Sequence, residues 1–76
     1  MDERLKQIIS DILDVQIKEI DDDFGPEDTP NWDSMNNLYL ITAIEEEFQI
    51  KLSMEDIKSM VSFNEIKKHI LNHLNP

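Results

Sequence analysis

Ser34 is the side chain in this sequence with the clearest potential for covalent chemistry. It follows a long polar segment and directly precedes a helix-forming run, so it is predicted to lie at a helix N-terminus. Such an end offers unpaired backbone N–H groups and a partial positive charge. A phosphodiester on the Ser34 hydroxyl would carry its negative charge where the helix favours an anion. Considered alone, the residue is better explained as an ordinary N-cap serine.

Two other groups of residues resemble metal sites only in part. The acids Asp21 to Asp23 lack the alternating ligands, central Gly and final Glu of an EF-hand, so we expect a solvated loop. His69 and His73 are four residues apart, as zinc ligands often are, but no third ligand is apparent. A His near a helix C-terminus is already favoured by the helix dipole. We therefore predict no metal site.

Catalysis by Ser34 is also not expected. A nucleophilic serine needs a neighbouring general base. The only two histidines lie near the far end of the chain, and no oxyanion-hole motif is visible. The sequence therefore predicts no catalytic residues.

The composition restricts the kinds of partner. Seventeen acidic residues stand against seven basic ones, a formal net charge of −10. Nucleic acid and membrane insertion are not expected, because phosphate binding needs clustered Lys and Arg and no apolar run approaches the roughly 20 residues of a spanning helix. Proteins with basic patches are the expected partners, although acidity by itself also serves solubility.

The length and the cysteine count indicate the kind of domain and its surroundings. The 76 residues suffice for one small domain, 1–76, which we expect to be monomeric. Cysteine is absent, and no signal-peptide pattern is seen, so a cytoplasmic location is predicted.

The elements around Ser34 are predicted to be helices. Only one Gly and three Pro occur, and no strand-like alternation persists, so we predict an all-α fold: a small antiparallel bundle of three long helices and one short helix. The first helix covers 2–15, the second begins at Asp33 or Ser34 and ends near Phe48, and the third spans 53–59. A capping box at 62–65 opens the last helix.

Apolar residues at helical spacing give the expected core positions. The first helix should bury Leu5, Ile8, Ile9, Ile12 and Leu13. The last should bury Phe63, Ile66, Ile70 and Leu74, with Leu71 beside them. The long loop 16–33 is expected to be anchored by its own side chains. Its predicted anchors are Ile17, Ile20, Phe24 and Trp32.

The second helix carries apolar residues on two faces. At about 100° per residue, its core stripe is formed by Leu40, Ile41, Ile44 and Phe48. A second set falls on the outer side and combines apolar residues with an acidic rim, as a docking surface does. That set is Met35, Leu38, Tyr39, Thr42, Glu45 and Glu46. The alternative is that the bundle wraps round and covers Met35.

The string from Trp32 to Met35, followed by Leu38, Leu40-Ile41, the segment Ala43 to Phe48, and Ile50, closely resembles the acyl carrier protein family. The resemblance covers the whole chain, including the long acidic loop and the short third helix. It implies that Ser34 carries a covalent 4'-phosphopantetheine arm. It also implies that Asp33 assists recognition by a phosphopantetheinyl transferase and that Glu45 and Glu46 are acidic docking positions.

By the same resemblance, the chain is a non-catalytic carrier of an acyl or aminoacyl thioester for a lipid, polyketide or other specialised biosynthetic pathway. Its partners would be the transferase and the acyl- or aminoacyl-loading and acyl-transferring enzymes. Cargo shelter is expected between the helices, with candidate linings Leu40, Ile44, Ile57, Val61 and Ile66.

Three positions depart from the family pattern. Met35 replaces the usual Leu, Tyr39 stands where carriers of fatty acid synthesis usually have an acid, and Thr42 stands where they often have a larger apolar residue. These changes keep the attachment chemistry but speak against the housekeeping carrier of fatty acid synthesis. An amino acid carrier resembling the D-alanine carrier proteins stays open, because those can also show Asp-Ser-Met. An unmodified acidic helical interaction module stays open as well.

Overall fold

The computed structural model describes residues 1–74, and the regular structure in this part of the chain is entirely helical. Four α-helices follow one another there: α1 (Asp2–Leu13), α2 (Ser34–Phe48), α3 (Met54–Ser59) and α4 (Phe63–Leu74). The predicted all-α fold with three long helices and one short helix is confirmed. The last two residues of the predicted domain 1–76 lie outside the described residues.

α1 and α2 run antiparallel and are joined at both ends. Near the start of α1, Arg4 donates to Glu47 at the end of α2, with 2.8 Å between Nη2 and Oε1. At the opposite end, the Asn31 side chain donates to the Leu13 carbonyl at 2.8 Å. The Arg4–Glu47 hydrogen bond favours the charged form of both groups, so the pKa of Arg4 is raised and the pKa of Glu47 is lowered.

α1 ends two residues earlier than the predicted 2–15. Asp14 adopts the left-handed conformation, with φ 56° and ψ 49°, which terminates the helix. The predicted core stripe is otherwise confirmed, since Leu5, Ile8, Ile9 and Leu13 are buried and Ile12 packs against them.

The loop between α1 and α2 is held by its own apolar side chains. Phe24 and Trp32 stack with ring centroids 6.0 Å apart, and both are buried together with Ile20. The fourth predicted anchor was wrong, because Ile17 is 42% exposed. It begins a single 3-10 turn, Ile17–Glu19, on the surface, while Val15 and Ile20 on either side of that turn pack against the core.

Backbone hydrogen bonds tie the same loop to the start of α4. The Phe24 carbonyl accepts from the Phe63 N–H at 2.8 Å, and the Asp22 carbonyl accepts from the Asn64 N–H at 3.1 Å. Gly25 lies at the closest approach, since a Cβ there would stand 2.7 Å from the Val61 carbonyl oxygen. The segment before Ser34 is therefore fixed against the connection between α3 and α4.

The capping box predicted for α3 is present, whereas only the serine half of the one predicted for α4 is found among the described residues. Ser53 and Asp56 form a reciprocal capping box at the start of α3. The Ser62 hydroxyl accepts from the Glu65 N–H at 3.2 Å, and the Glu65 carboxylate pairs with Lys68 at 3.5 Å. Each cap satisfies a backbone donor that the helix itself leaves free.

α4 closes the core with Phe63, Ile66 and Ile70, all three buried. The prediction that Leu74 points inward was wrong, because it is 44% exposed. By helical spacing Leu74 continues the face of Ile70, but it lies one turn past the last core residue of α4. Leu71 is also exposed, because about 100° per residue turns it away from the face of the buried Ile70.

Candidate functional site

The sequence allowed either Asp33 or Ser34 to be the N-cap of α2, and the structure assigns the cap to Asp33. The Asp33 carboxylate accepts from the Asn36 N–H at 2.9 Å and is the N-cap of α2. Ser34 is the first helical residue and is exposed. Its hydroxyl is therefore not the cap, and it stands at the positive end of a 15-residue helix.

Side-chain hydrogen bonds bracket Ser34 on both sides. The Trp32 indole N–H donates to the Asn37 side-chain oxygen at 2.9 Å. The Asn36 side chain donates to the Asn31 carbonyl at 2.7 Å. Both bonds cross from the loop to the first turn of α2, so the backbone is held on either side of the serine. Sequence reasoning missed this pair of asparagines; polar residues clustered beside a candidate serine were the available signal.

A shallow surface groove of about 210 Å³ adjoins the serine. Ser34 and Asn37 line it from α2, and Ile57, Met60 and Val61 line it from α3 and the segment that follows α3. A hydroxyl at the rim of a partly apolar groove can hold an attached chain against the protein surface.

The five residues predicted to shelter a cargo do not come together. Leu40, Ile44 and Ile66 are packed in the closed core. Ile57 and Val61 line the open groove instead. Of the predicted set, only these two stand next to Ser34.

The outer face of α2 is separated from its core face as predicted. Leu40, Ile41 and Ile44 are buried, and Phe48 is partly buried. On the opposite side Met35 is 63% and Leu38 is 64% exposed, so the bundle does not cover them.

The remaining predicted docking residues differ in what their side chains do. Tyr39, Thr42 and Glu46 are exposed on the same side as Met35, and the Thr42 hydroxyl donates to the Leu38 carbonyl at 2.9 Å. Glu45 was predicted to belong to the acidic rim of the docking surface. Instead it is half-buried, and its carboxylate accepts from the Leu52 N–H at 2.8 Å. About 100° per residue places it at the edge of the outer face, beside the chain that leaves the helix.

The structure supplies a partner for both histidines that the sequence did not reveal. Asp56 on α3 lies between them: His69 Nδ1 is 2.8 Å from one carboxylate oxygen and His73 Nε2 is 2.9 Å from the other. The pKa of the Asp56 carboxyl is held well below its usual range, first by the bond to His73 and then by the Ser53 N–H. The three residues connect α3 to α4.

The arrangement is an interhelical hydrogen-bonded cluster, and no group of three His, Cys, Asp or Glu side chains between Met1 and Leu74 is placed to hold a metal ion. In the loop, the Asp21 carboxylate accepts from the Asp23 N–H at 3.1 Å, and Asp21, Asp22 and Asp23 are all exposed. Within the same residues, no helix is both long and apolar enough to cross a membrane.

A small helical bundle that presents an exposed serine at the start of its second helix has the architecture of a carrier domain. The acyl carrier protein of Buchnera aphidicola subsp. Schizaphis graminum (strain Sg) is 36% identical over 70 residues, which cover 92% of this chain and 85% of that protein. The acyl carrier protein of Buchnera aphidicola subsp. Acyrthosiphon pisum (strain Tuc7) is also 36% identical over 70 residues, covering 92% of this chain and 84% of that protein. No family model matches the chain.

With this identity over nearly its whole length, the chain belongs to the acyl carrier protein family. The resemblance seen in the residues around Ser34 is confirmed. As a member of this family, the protein is a carrier and not an enzyme.

Proposed function

We propose that the protein carries an acyl or aminoacyl group as a thioester on a 4'-phosphopantetheine arm attached to Ser34. The observation that supports this most directly is the division of roles at the start of α2. Asp33 caps the helix at 2.9 Å from the Asn36 nitrogen, and the adjacent Ser34 is exposed. The Ser34 hydroxyl is open to modification without loss of the cap.

Attachment requires a partner enzyme and a donor of the arm. With coenzyme A as donor, an O–P bond forms at the Ser34 hydroxyl oxygen and the pyrophosphate P–O bond of coenzyme A breaks. Adenosine 3',5'-bisphosphate leaves, and the hydroxyl proton passes to a base of the transferase. The product is a phosphodiester, which the positive end of α2 stabilises at this position. We place the protein in the cytoplasm, where coenzyme A is available.

Several residues of the chain fit the attached arm. The arm supplies a terminal thiol that binds the cargo as a thioester. The backbone N–H groups at the start of α2 favour the phosphodiester, and Ile57 and Val61 offer apolar contact along the groove beside it. Asp33 is proposed to be read by the transferase, since it is exposed and adjacent to Ser34.

The outer face of α2 is proposed to bind the transferase and the loading and acyl-transferring enzymes. Met35, Leu38 and Tyr39 provide an exposed apolar centre on the first two turns of α2, beside the attachment point. Glu46 and the overall charge of −10 favour partners with basic patches, mainly by raising the encounter rate.

The proposal is tested by co-expressing the protein with a broad-specificity phosphopantetheinyl transferase and measuring the intact mass. A gain equal to one phosphopantetheine, lost in Ser34→Ala, is expected. An unchanged wild-type mass would leave an unmodified acidic interaction module as the better description. Mass spectrometry of the arm from the native host then identifies the cargo and separates an acyl carrier from an amino acid carrier such as the D-alanine type.

A further inference from the structure

The hydrogen bond between Trp32 and Asn37 fixes which way the Asn37 carboxamide points. The indole N–H is only a donor, so the atom facing it at 2.9 Å must be the Asn37 oxygen and not the nitrogen. Trp32 itself is buried and stacked on Phe24, so this donor has a fixed position. The Asn37 Nδ2 group is therefore directed away from the indole.

The Nδ2 group of Asn37 remains free to donate. It takes part in no side-chain hydrogen bond found among residues 1–74, and no buried side-chain nitrogen or oxygen in that part of the chain lacks a partner. Since Asn37 is only half-buried, Nδ2 must be reachable from solvent. An oriented, accessible donor can bind an acceptor without the free-energy cost of ordering its own side chain.

Asn37 also stands on the same side of α2 as Ser34. The two residues are three apart, so their Cβ atoms lie about 5–6 Å from each other, and both line the groove beside the serine. An anion attached to the Ser34 hydroxyl would therefore carry its non-bridging oxygens on the side of α2 where the Asn37 amide lies. The chemical match is a neutral N–H donor opposite a phosphodiester oxygen.

We propose that Asn37 is a binding residue for the arm: its Nδ2 group, oriented by Trp32, donates a hydrogen bond to a phosphodiester oxygen on Ser34. This inference rests on the proposed function. It adds to the helix N-terminus a side-chain donor that holds the first part of the arm over the groove.

The test uses the full chain labelled with ¹⁵N, before and after loading from coenzyme A, with the intact mass confirming complete loading. On loading, one of the two Asn37 Hδ2 resonances should move downfield, while the side-chain amide of the exposed Asn72 on α4 stays in place. Trp32→Phe keeps the stacked ring but removes the indole donor, so the movement of the Asn37 resonance should shrink.

Asn37→Asp removes the Nδ2 donor and keeps the oxygen that accepts from Trp32. An aspartate retains an oxygen for the Trp32 indole but offers no N–H to the arm, so the ³¹P resonance of the phosphodiester should shift relative to wild type. Asn72→Asp adds the same charge away from the site and should leave the ³¹P resonance unchanged. The melting temperature of each variant checks that the fold is retained.

The outcomes are distinct. Complete loading with identical Asn37 side-chain resonances before and after would overturn the role of Asn37 and leave the carrier function standing. This comparison needs only the wild-type protein and holds even if a variant fails to fold. If the wild-type protein gains no arm at all, the carrier function fails, and the role of Asn37 fails with it.

Discussion

The Asp33 carboxylate lies 2.9 Å from the backbone nitrogen of Asn36, and this bond closes the first turn of α2. Ser34 stands between the two residues and contributes no cap to the helix. The residue that stabilises the helix end and the residue proposed for modification are thus adjacent but separate. Their effects on stability and on loading are therefore separable by mutation.

Ser34→Ala should abolish loading at little expense in stability. Because Asp33 provides the cap, the free energy of unfolding should stay within about 0.5 kcal/mol of wild type. Asp33→Ala is the matched control and should lose about 0.5–2 kcal/mol. Urea unfolding and intact mass measure the two effects. If Ser34→Ala still gains the arm, Ser34 is not the attachment site.

Glu46→Lys should slow loading by the transferase without destabilising the fold. Glu46 is exposed on the outer face of α2, and an exposed charge contributes little to stability. Glu46 is expected to attract a basic partner and so to raise the encounter rate. Because salt screens this attraction, the difference in loading rate between wild type and Glu46→Lys should narrow as salt rises. The measurement is the loading rate across a salt series.

Glu3→Lys is the control for Glu46→Lys, since Glu3 is exposed on α1 and the variant changes the net charge by the same amount. Equal loading by both variants would count against the docking face. Glu45 is unsuitable for this comparison. Its carboxylate accepts from the Leu52 N–H, so its reversal would also disturb the end of α2.

Tyr39→Glu should change partner preference. The tyrosine is exposed on the outer face, where carriers of fatty acid synthesis usually present an acid. The substitution should improve loading and use by fatty acid synthesis enzymes and weaken use by the native partner, with the melting temperature nearly unchanged. If wild type and Tyr39→Glu show the same rates with both enzyme sets, Tyr39 does not contribute to partner choice.

Acid should weaken the contact between α3 and α4 through Asp56. The hydrogen bonds of Asp56 with His73 and with the Ser53 N–H lower the pKa of its carboxyl in the folded protein. The stabilisation of the fold by the Asp56 carboxylate is therefore complete above the pKa of an unfolded Asp, about 3.9. It is lost as the pH falls through the lower pKa of the folded state.

Unfolding measured from pH 7 to pH 2 should show wild type losing stability relative to Asp56→Asn as the pH falls below about 4. The asparagine variant controls for the protonation of the other carboxyl groups, which both proteins share. A difference between the two proteins that stays constant over the whole range would show that Asp56 does not titrate as inferred.

Salt should raise the melting temperature. The formal net charge is −10, and the exposed acids at Asp21 to Asp23 stand next to one another in the loop. Their mutual repulsion is screened over about 10 Å at 0.1 M salt. Differential scanning fluorimetry from low to moderate salt provides the measurement. A flat or falling melting temperature would show that repulsion contributes little to the stability of this fold.

The helices, most of their bounds and the family were predictable because they depend on local chemistry. The apolar spacing of Leu5, Ile9 and Leu13 specifies a helical face whatever the rest of the chain does. The cap of α3 depends on residues three apart, Ser53 and Asp56, so it could be identified without the fold. The position of Ser34 at a helix start, with the residues that carry the family resemblance, likewise lies within one short segment.

Only the tertiary structure decided which of these residues meet across the fold. Asp56 is paired with two histidines 13 and 17 residues away, a contact that sequence spacing does not encode. Leu74 follows the apolar period of α4, yet it is exposed because the bundle ends before it. The choice of Asp33 as the cap, which leaves the Ser34 hydroxyl free, depends on how the loop enters α2. Trp32 fixes that entry by packing in the core, and Asn31 does so by donating to the Leu13 carbonyl 18 residues away. Contacts between such distant segments have no local signature in the chain.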